Sequence, residues 1–293
     1  MIGTGAMGLG VVQSLRRHGY PVAVRDIRPE AEAAAVRCGA TAYPTPAALG
    51  ATCPIVILLV VDAPQIDTVL FGAAGAAAAL APGTVVIVSS TVAPAYVATL
   101  AARLQGLGMR VLDAPVSGGP QRAAAGTMTV MVSGASATIE ECGALFKAIA
   151  GNTFVVGSTP GAAATFKVLN NQLAAVNLAA GAEAMAMAMR AGIDPGKFME
   201  VVNASSGASW IFSERMARAL AGDRTPRAAV TLLHKDVGLA VDTAQAMDFD
   251  APLARAARAA FVAAVAAGYG AADDAAMVDY YQASDRKPPP RGK

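Results

Sequence analysis

Lys167, Asn170 and Asn171 are placed to do acid/base chemistry, because they interrupt an apolar stretch, 162–191, that predicts one long helix. Residues three and four positions apart share a helix face, so the three side chains project together. Burying an unpaired lysine is costly. One interpretation is that Lys167 is a general acid/base held by Asn171. Partial burial would then move the pKa of the Lys167 amine toward neutral pH. The other is that Lys167 lies at a helix edge and extends its ammonium into solvent.

A glycine motif, G-x-G-x-x-G, opens the chain and leads into the helical run 9–18. In a dinucleotide-binding fold the first glycine allows a tight turn and the second lets the backbone approach the pyrophosphate. The third lets the helix pack closely on the strand, and the helix N-terminus stabilises the phosphate charge. The alternative is a glycine-rich turn with no ligand. The predicted cofactor residues of this segment are Gly3, Thr4, Gly5, Ala6, Met7 and Gly8.

Asp26 supports the dinucleotide interpretation, since it follows Gly8 by 18 residues, at the end of the short apolar run 22–24. An acid at about this interval accepts hydrogen bonds from the adenosine ribose hydroxyls. It also repels a 2′-phosphate, so NAD is predicted in preference to NADP. Arg25 and Arg28 weaken that preference, because either side chain could reach a phosphate.

Three loops follow predicted strands, at the edge where a doubly wound sheet binds its ligands. They are 60–65, 89–91 and 113–120. The hydroxyl cluster 89–91 has helix capping before the helical run 93–106 as its alternative interpretation. In the third loop, Ser117, Gly118 and Gly119 can direct successive N–H groups at an anion. The alternative for that turn is a backbone shape with no ligand.

Lys235 and Asp236 interrupt a later helical run. Lys235 could reach the cofactor or substrate from the helical part of the chain, with Asp236 holding it. The alternative is a surface ion pair of little energetic value.

The order of the predicted elements indicates two domains. Short apolar strands alternate with helices up to residue 161, which predicts an α/β, doubly wound Rossmann sheet that binds NAD. Residues 162–284 are predicted to form an all-helical domain for substrate and dimerisation, joined by the long helix, and 285–293 a disordered tail. Only Met1 and Ile2 precede Gly3, although a central strand usually has about five residues. We therefore expect the native start to lie upstream.

Composition narrows the class of protein. Hydrophobic residues make up 55% and charged residues 15%, which excludes a disordered chain. A net charge of +2 gives no case for nucleic acid or an anionic membrane. Three cysteines and two histidines offer neither a disulfide framework nor a metal site of three histidines. We expect a soluble cytoplasmic protein with no metal.

Taken in order, these motifs resemble the β-hydroxyacid dehydrogenase family, which includes 3-hydroxyisobutyrate dehydrogenase and tartronate semialdehyde reductase. The resemblance runs from the glycine motif through 113–119 to Lys167, Asn170 and Asn171, and then to Lys235-Asp236. Segments 60–65, 89–91, 222–226 and 268–274 look still more like the L-threonate branch. That branch tends to have a histidine where Asn170 stands.

The resemblance implies a role for each group of residues. Lys167 is the catalytic acid/base, and Asn171 orients it. The substrate-binding residues it implies are Ser117, Gly118, Gly119 and Asn170, of which the first three hold the carboxylate. The cofactor contacts it implies, beyond the glycine motif and Asp26, are Val60, Val61, Gln65, Thr91 and Lys235.

The implied activity is hydride transfer between NAD and a small hydroxy acid, either threonate-like or 3-hydroxyisobutyrate-like. A short semialdehyde reductase, such as one acting on tartronate semialdehyde, is the alternative within the family. Imine reductases look similar but generally lack a lysine at the position of Lys167. A dinucleotide-sensing scaffold would need neither Lys167 nor the turn at Ser117. The long apolar helix favours a homodimer or homotetramer.

Overall fold

The computed structural model of the protein describes residues 1–283, and its chain divides into two compact units. The first comprises residues 1–168 and the second begins at Leu169. The first is an α/β unit built on a mostly parallel sheet, and the second is helical, which confirms the predicted fold class. The predicted domain boundary after residue 161 stays a prediction. The predicted tail, 285–293, lies outside the described residues.

The strands of the first unit are short and rich in valine, isoleucine and leucine, as expected of a sheet covered on both faces. They are β1 (Ala23–Val24), β2 (Thr41–Ala42), β3 (Ile55–Leu58), β4 (Val85–Val88), β5 (Arg110–Asp113), β6 (Val116–Ser117), β7 (Met128–Ser133) and β8 (Ala150–Gly157). Strands β3, β4 and β5 pair in parallel, and β1 pairs in parallel with β2. Strand β7 runs antiparallel to β5 and β6, and parallel to β8.

Ile2 joins the two groups of strands. It forms single parallel bridges to Arg25 and Leu58. Its N–H donates to the carbonyl of Ile57 at 2.9 Å, and its carbonyl accepts from the N–H of Leu59 at 3.0 Å. One fully buried residue therefore occupies the place of the central strand, directly before the glycine motif.

The first unit contains eight helices, of which α1 precedes the strands and the others lie between them. They are α1 (Ala6–Arg17), α2 (Pro29–Arg37), α3 (Pro46–Gly50), α4 (Ala63–Phe71), α5 (Pro94–Gln105), α6 (Gly119–Ala125), α7 (Ser136–Glu141) and α8 (Gly143–Ile149). The sequence predicts one helix over 139–150, whereas the structure has two that meet at Cys142. Thr138 and Ile139, on the first of these, are buried, and so are Leu145 and Phe146 on the second.

The long helix predicted over 162–191 is confirmed as α9 (Ala162–Arg190). It runs from the first unit into the second, and five further α-helices follow within residues 1–283. They are α10 (Pro195–Asn203), α11 (Trp210–Leu220), α12 (Val230–Ala246), α13 (Pro252–Ala264) and α14 (Met277–Ala283). Leu178, Met185 and Phe261 are fully buried in their core. Among residues 1–283, no helix combines the length and apolar character that crossing a membrane requires.

Two arginine–aspartate pairs are buried in the second unit. Arg218 lies 3.0 Å from Asp273, and Arg215 donates to Asp274 at 2.6 Å. Both aspartates are 1% exposed. Burial raises the pKa of the Asp274 carboxyl to about 6, although the Arg215 guanidinium acts in the opposite direction.

Replacement of Asp274 should alter the pH dependence of the free energy of unfolding. The pKa of Asp274 in the folded protein, about 6, lies above its ordinary value of 3.8, so the folded state binds this proton more tightly than the unfolded chain does. The unfolding free energy of the wild type should therefore fall, relative to that of Asp274→Asn, as the pH rises from about 4 to about 7. The change should be at most about 3 kcal/mol.

Urea unfolding of both proteins across this pH range measures the difference. The exposed substitution Asp250→Asn is the control, and it should leave the pH dependence of the wild type unchanged. A difference between wild type and Asp274→Asn that does not vary with pH would contradict the prediction.

Candidate active site

The glycine motif forms a close-packed turn between Ile2 and α1. Gly3 has φ of +92°, and a Cβ there would lie 2.4 Å from the carbonyl oxygen of Leu59. A Cβ on Gly8 would lie 2.1 Å from the carbonyl oxygen of Gly3. The helix begins at Ala6, and its N-cap residue, Gly5, supplies no side-chain acceptor. The first N–H groups of α1 can therefore bind an anion, and these residues fit a dinucleotide pyrophosphate.

Asp26 lies at the end of β1 beside this turn and is 8% exposed. Its carboxylate accepts from the N–H of Thr4 at 2.7 Å and from the N–H of Arg28 at 2.9 Å. Burial by itself would raise the pKa of Asp26, but the backbone donors and the Arg28 guanidinium hold it below its ordinary value. The carboxylate is therefore ionised at neutral pH, as the predicted ribose acceptor must be.

The two arginines beside Asp26 differ in their contacts. Arg25 pairs with Glu32 at 3.0 Å. Arg28 pairs with Asp26 at 3.3 Å and is half-exposed. A Cβ on Gly5 would lie 3.0 Å from the Arg28 guanidinium. Of the two, Arg28 is therefore the one that lies against the glycine motif.

The side chains of Ser90 and Gln65 accept hydrogen bonds from the backbone of the loop after β3. The hydroxyl of Ser90 accepts from the N–H of Val60 at 2.9 Å. The side-chain oxygen of Gln65 accepts from the N–H of Val61 at 3.0 Å. Helix α5 begins at Pro94, with Ala93 as its N-cap and no side-chain cap. Ser90 thus links the ends of β3 and β4. Its hydroxyl does not cap α5, so the helix-capping alternative does not hold for Ser90.

The turn at Ser117 contains two consecutive glycines with positive φ. Gly118 has φ of +130° and Gly119 has φ of +77°, which other residues rarely adopt. A Cβ on Gly118 would also lie 3.0 Å from the Cδ atom of Arg122. The carbonyl of Arg122 accepts from the N–H of Thr127 at 2.9 Å, but within residues 1–283 its side chain makes no hydrogen bond or ion pair. Arg122 is not among the residues predicted from the sequence, although a basic residue three positions after paired glycines was a usable signal.

Lys167 and Asn171 lie one turn apart on α9 and are 7% and 8% exposed. This burial disfavours the interpretation of Lys167 as a solvated lysine at a helix edge. The start of α9 is held by Asp113, which accepts from the N–H groups of Gly161 and Ala164. Asp113 begins the loop 113–120 noted from the sequence, but its spacing gave no indication of this role.

Asn171 belongs to a chain of polar contacts in the second unit. Its amide donates to Asp236 at 2.7 Å and accepts from the amide of Asn170 at 3.1 Å. Lys235 pairs with the other oxygen of Asp236 at 2.8 Å. The side chains of Lys235 and Asp236 are 25% and 13% exposed, so the pair is not the surface ion pair of the alternative interpretation.

The structure thus places the predicted residues in two groups, each within one unit. In the first unit, the predicted residues lie at the carboxyl ends of strands, where ligands of such sheets bind. The glycine motif follows the bridge at Ile2, Ser117 ends β6, and Asp26, Val60 and Thr91 follow β1, β3 and β4. In the second unit, Asn171 and Lys235 both contact Asp236, and Asn170 donates to Asn171.

Comparison with known proteins defines the class. Residues 1–157 match the NAD-binding domain of 6-phosphogluconate dehydrogenase. Residues 161–281 match the NAD-binding region of NADP-dependent 3-hydroxyisobutyrate dehydrogenase. The protein is therefore a nicotinamide-dependent oxidoreductase that acts on CH–OH groups. It belongs to the 3-hydroxyisobutyrate dehydrogenase family of hydroxy acid dehydrogenases, as the resemblance of its motifs predicts.

Similar proteins cover nearly the whole chain. An L-threonate dehydrogenase of Cupriavidus necator is 44% identical over 96% of this chain and 95% of its own. An L-threonate dehydrogenase of Escherichia coli K12 is 42% identical over 96% of this chain and 93% of its own. The crystal structure of a 3-hydroxyisobutyrate dehydrogenase from Salmonella typhimurium superposes with a TM-score of 0.88 at 41% identity, covering 95% of this chain and 98% of that one.

Proposed function

We propose that the protein oxidises L-threonate, or a hydroxy acid of closely similar size, with NAD, and that Lys167 is the acid/base of the reaction. The observation that carries the proposal is the burial of Lys167 and Asn171 one turn apart on α9. The names of the relatives at 42–44% identity support the substrate class. The alternative is a short semialdehyde reductase, in which the same residues would catalyse hydride transfer in the reverse direction. Turnover with a panel of substrates distinguishes the two.

The proton transfer follows from the chemistry of an amine. In oxidation the neutral Nζ of Lys167 takes the proton of the substrate hydroxyl, and in reduction the ammonium returns it. When bound, the nicotinamide ring supplies the acceptor for the hydride. Asn171 contributes orientation, because contacts with Asp236 and Asn170 fix both ends of its amide. Such acid/base assistance typically contributes about 10²- to 10⁴-fold in rate.

The substrate carboxylate is expected to bind at the turn that contains Ser117, Gly118 and Gly119. Backbone N–H groups in this conformation favour an anion. The Arg122 guanidinium beside Gly118 adds a positive charge to the same loop. The turn therefore orients the acid by its carboxylate and leaves its hydroxyl for Lys167.

Turnover with a panel of substrates tests the proposal. L-threonate should give the highest kcat/KM with NAD, above 3-hydroxyisobutyrate and glycerate, and above tartronate semialdehyde assayed with NADH. Lys167→Ala should lower kcat by about 10²- to 10⁴-fold while its Kd for NADH stays within about twofold, because the lost group acts on the proton.

Lys197→Ala is the matched control, since the Lys197 side chain is exposed and, within the part of the chain that the structure describes, pairs only with Glu200 on its own helix. It should retain the kcat of the wild type. An unchanged kcat in Lys167→Ala would remove Lys167 from the mechanism. Activity confined to tartronate semialdehyde would favour the reductase.

Asp26 supports the proposed preference for NAD. Its carboxylate is ionised and held by two backbone N–H groups, so it can accept from ribose hydroxyls and repel a 2′-phosphate. Arg28 is the residue that could offset that repulsion, because it is half-exposed and lies against Gly5.

The preference can be reversed by substitution. Asp26→Ser should raise the Kd for NADH by about 10- to 100-fold, because a charge-assisted hydrogen bond contributes about 1.5–3 kcal/mol. It should weaken NADPH binding less, or strengthen it. Fluorescence titration with both dinucleotides measures the ratio. Arg28→Ala should weaken NADPH alone, and equal effects on both dinucleotides in Asp26→Ser would contradict the assignment.

We also propose that the protein forms a homodimer or homotetramer through one face of α9. Leu173 and Met187 are 63% and 65% exposed on this helix, and Ala180 lies exposed midway between them. A seven-residue spacing keeps apolar side chains on one face, as in helices that pair with a second copy.

Charged substitutions on this face should separate the subunits. The double variant Leu173→Glu, Met187→Glu should raise the dimer Kd by at least about 100-fold, since it buries charges in an apolar contact. Light scattering coupled to size exclusion gives the mass. Phe249→Glu, on an equally exposed apolar residue outside the helix, should leave the mass unchanged. An unchanged mass in the double variant would rule out this face.

A further inference from the structure

The start of α9 has every N–H group of its first turn accounted for. Such groups have no partner within the helix. One carboxylate oxygen of Asp113 accepts from the N–H groups of Gly161 and Ala164, both at 2.8 Å. The hydroxyl of Ser133 accepts from the N–H of Ala163 at 3.0 Å. The N–H of Ala162 donates to the carbonyl of Thr159 at 3.4 Å.

The two side-chain acceptors lie on neighbouring strands of the sheet. Asp113 ends β5, Ser133 ends β7, and the two residues pair across these strands. The Ser133 hydroxyl donates to the same Asp113 oxygen at 3.3 Å. Asp113 is 1% exposed and Ser133 is fully buried. Burial raises the pKa of Asp113, and the donors from Ala164 and Gly161 act against that rise. The sheet therefore holds the helix start through a buried two-residue cap.

This cap lies close in sequence to both parts of the proposed chemistry. Lys167 follows Ala164 by three residues, so it lies one turn into the helix that the cap holds. Ser117 follows Asp113 by four residues at the end of the same strand region. Gly161, the last residue before the helix, has φ of +103°, and a Cβ there would lie 3.0 Å from the carbonyl oxygen of Pro94. A shift of the first helix turn would therefore move Lys167 relative to the turn at Ser117.

We propose that Asp113 is a positioning residue for Lys167, which fixes the first turn of α9 against the sheet and so sets the distance between the lysine amine and a substrate held at Ser117–Gly119. This inference rests on the proposed role of Lys167. Small displacements of a proton acceptor cost large factors in rate, because the reacting atoms must approach within about 3–3.5 Å. Asp113 itself does not contact the reacting atoms in this account.

A double-mutant cycle separates positioning from general structural damage. Asp113→Ala should lower kcat with L-threonate by about 100-fold in the wild-type background, and by less than about twofold in the Lys167→Ala background. The Kd for NADH should stay within about twofold throughout. Asp113→Asn, which retains one acceptor oxygen, should recover part of the lost kcat. Equal factors in both backgrounds would overturn the proposal.

Asp194→Ala is the matched control for loss of an aspartate that caps a helix. Asp194 is exposed and accepts from the N–H of Lys197 at 2.7 Å, at the start of α10. Its loss should leave kcat unchanged in both backgrounds.

If Asp113→Ala does not fold, Ser133→Ala takes its place. It should lower kcat about threefold in the wild-type background only, with recovery in Ser133→Thr, which keeps the hydroxyl. Equal factors would again overturn the proposal.

A wild-type protein that binds NADH but turns over no hydroxy acid would refute the proposed function and leave the positioning role to a second measurement. Acetylation of lysines by an N-hydroxysuccinimide ester, followed by peptide mass spectrometry, reports the exposure of the Lys167 amine. Asp113→Ala should speed acetylation of the buried Lys167 at least about fivefold and leave exposed Lys197 unchanged. Equal rates at Lys167 in both proteins would overturn the positioning role.

Discussion

The proposed chemistry depends on the contact between the Asp113 carboxylate and the first turn of α9. A 29-residue helix that runs from one unit into the next must be fixed at its start if a side chain in its second turn is to have a defined place. A carboxylate suits this position, because the N-terminus of a helix carries a partial positive charge and several N–H groups without partners. The cap is buried and shared with Ser133, so solvent does not compete for it.

The glycine motif of the first unit likewise fixes the start of a helix, α1, against the sheet. Gly3 and Gly8 approach so closely that a side chain on either would overlap backbone atoms, and α1 therefore begins directly above the end of the sheet. Asp26 lies at the end of the neighbouring strand and is held by the N–H of Thr4, inside the motif. The same short contacts that pack helix against sheet thus leave free N–H groups and one ionised carboxylate for a dinucleotide.

The sequence predicted those features that local spacing determines. The glycine motif, the alternation of strands and helices, and the long helix, which ends one residue earlier than predicted, are of this kind. It did not predict the role of Asp113, because its partners Gly161 and Ala164 lie 48 and 51 residues away. Ser90 was weighed as a helix cap and instead contacts Val60, on the loop after another strand. Such pairings arise when the sheet assembles, and neighbouring residues carry no signal for them.

The role of Lys167 can be tested by a crystal structure of the protein with NAD and a non-reacting hydroxy acid of the threonate class. We expect the Lys167 amine within hydrogen-bond distance of the substrate hydroxyl, about 3 Å, and the carboxylate on the N–H groups of the turn at Ser117. A hydroxyl bound to a different side chain, with the lysine amine turned away from it, would show that Lys167 is not the acid/base.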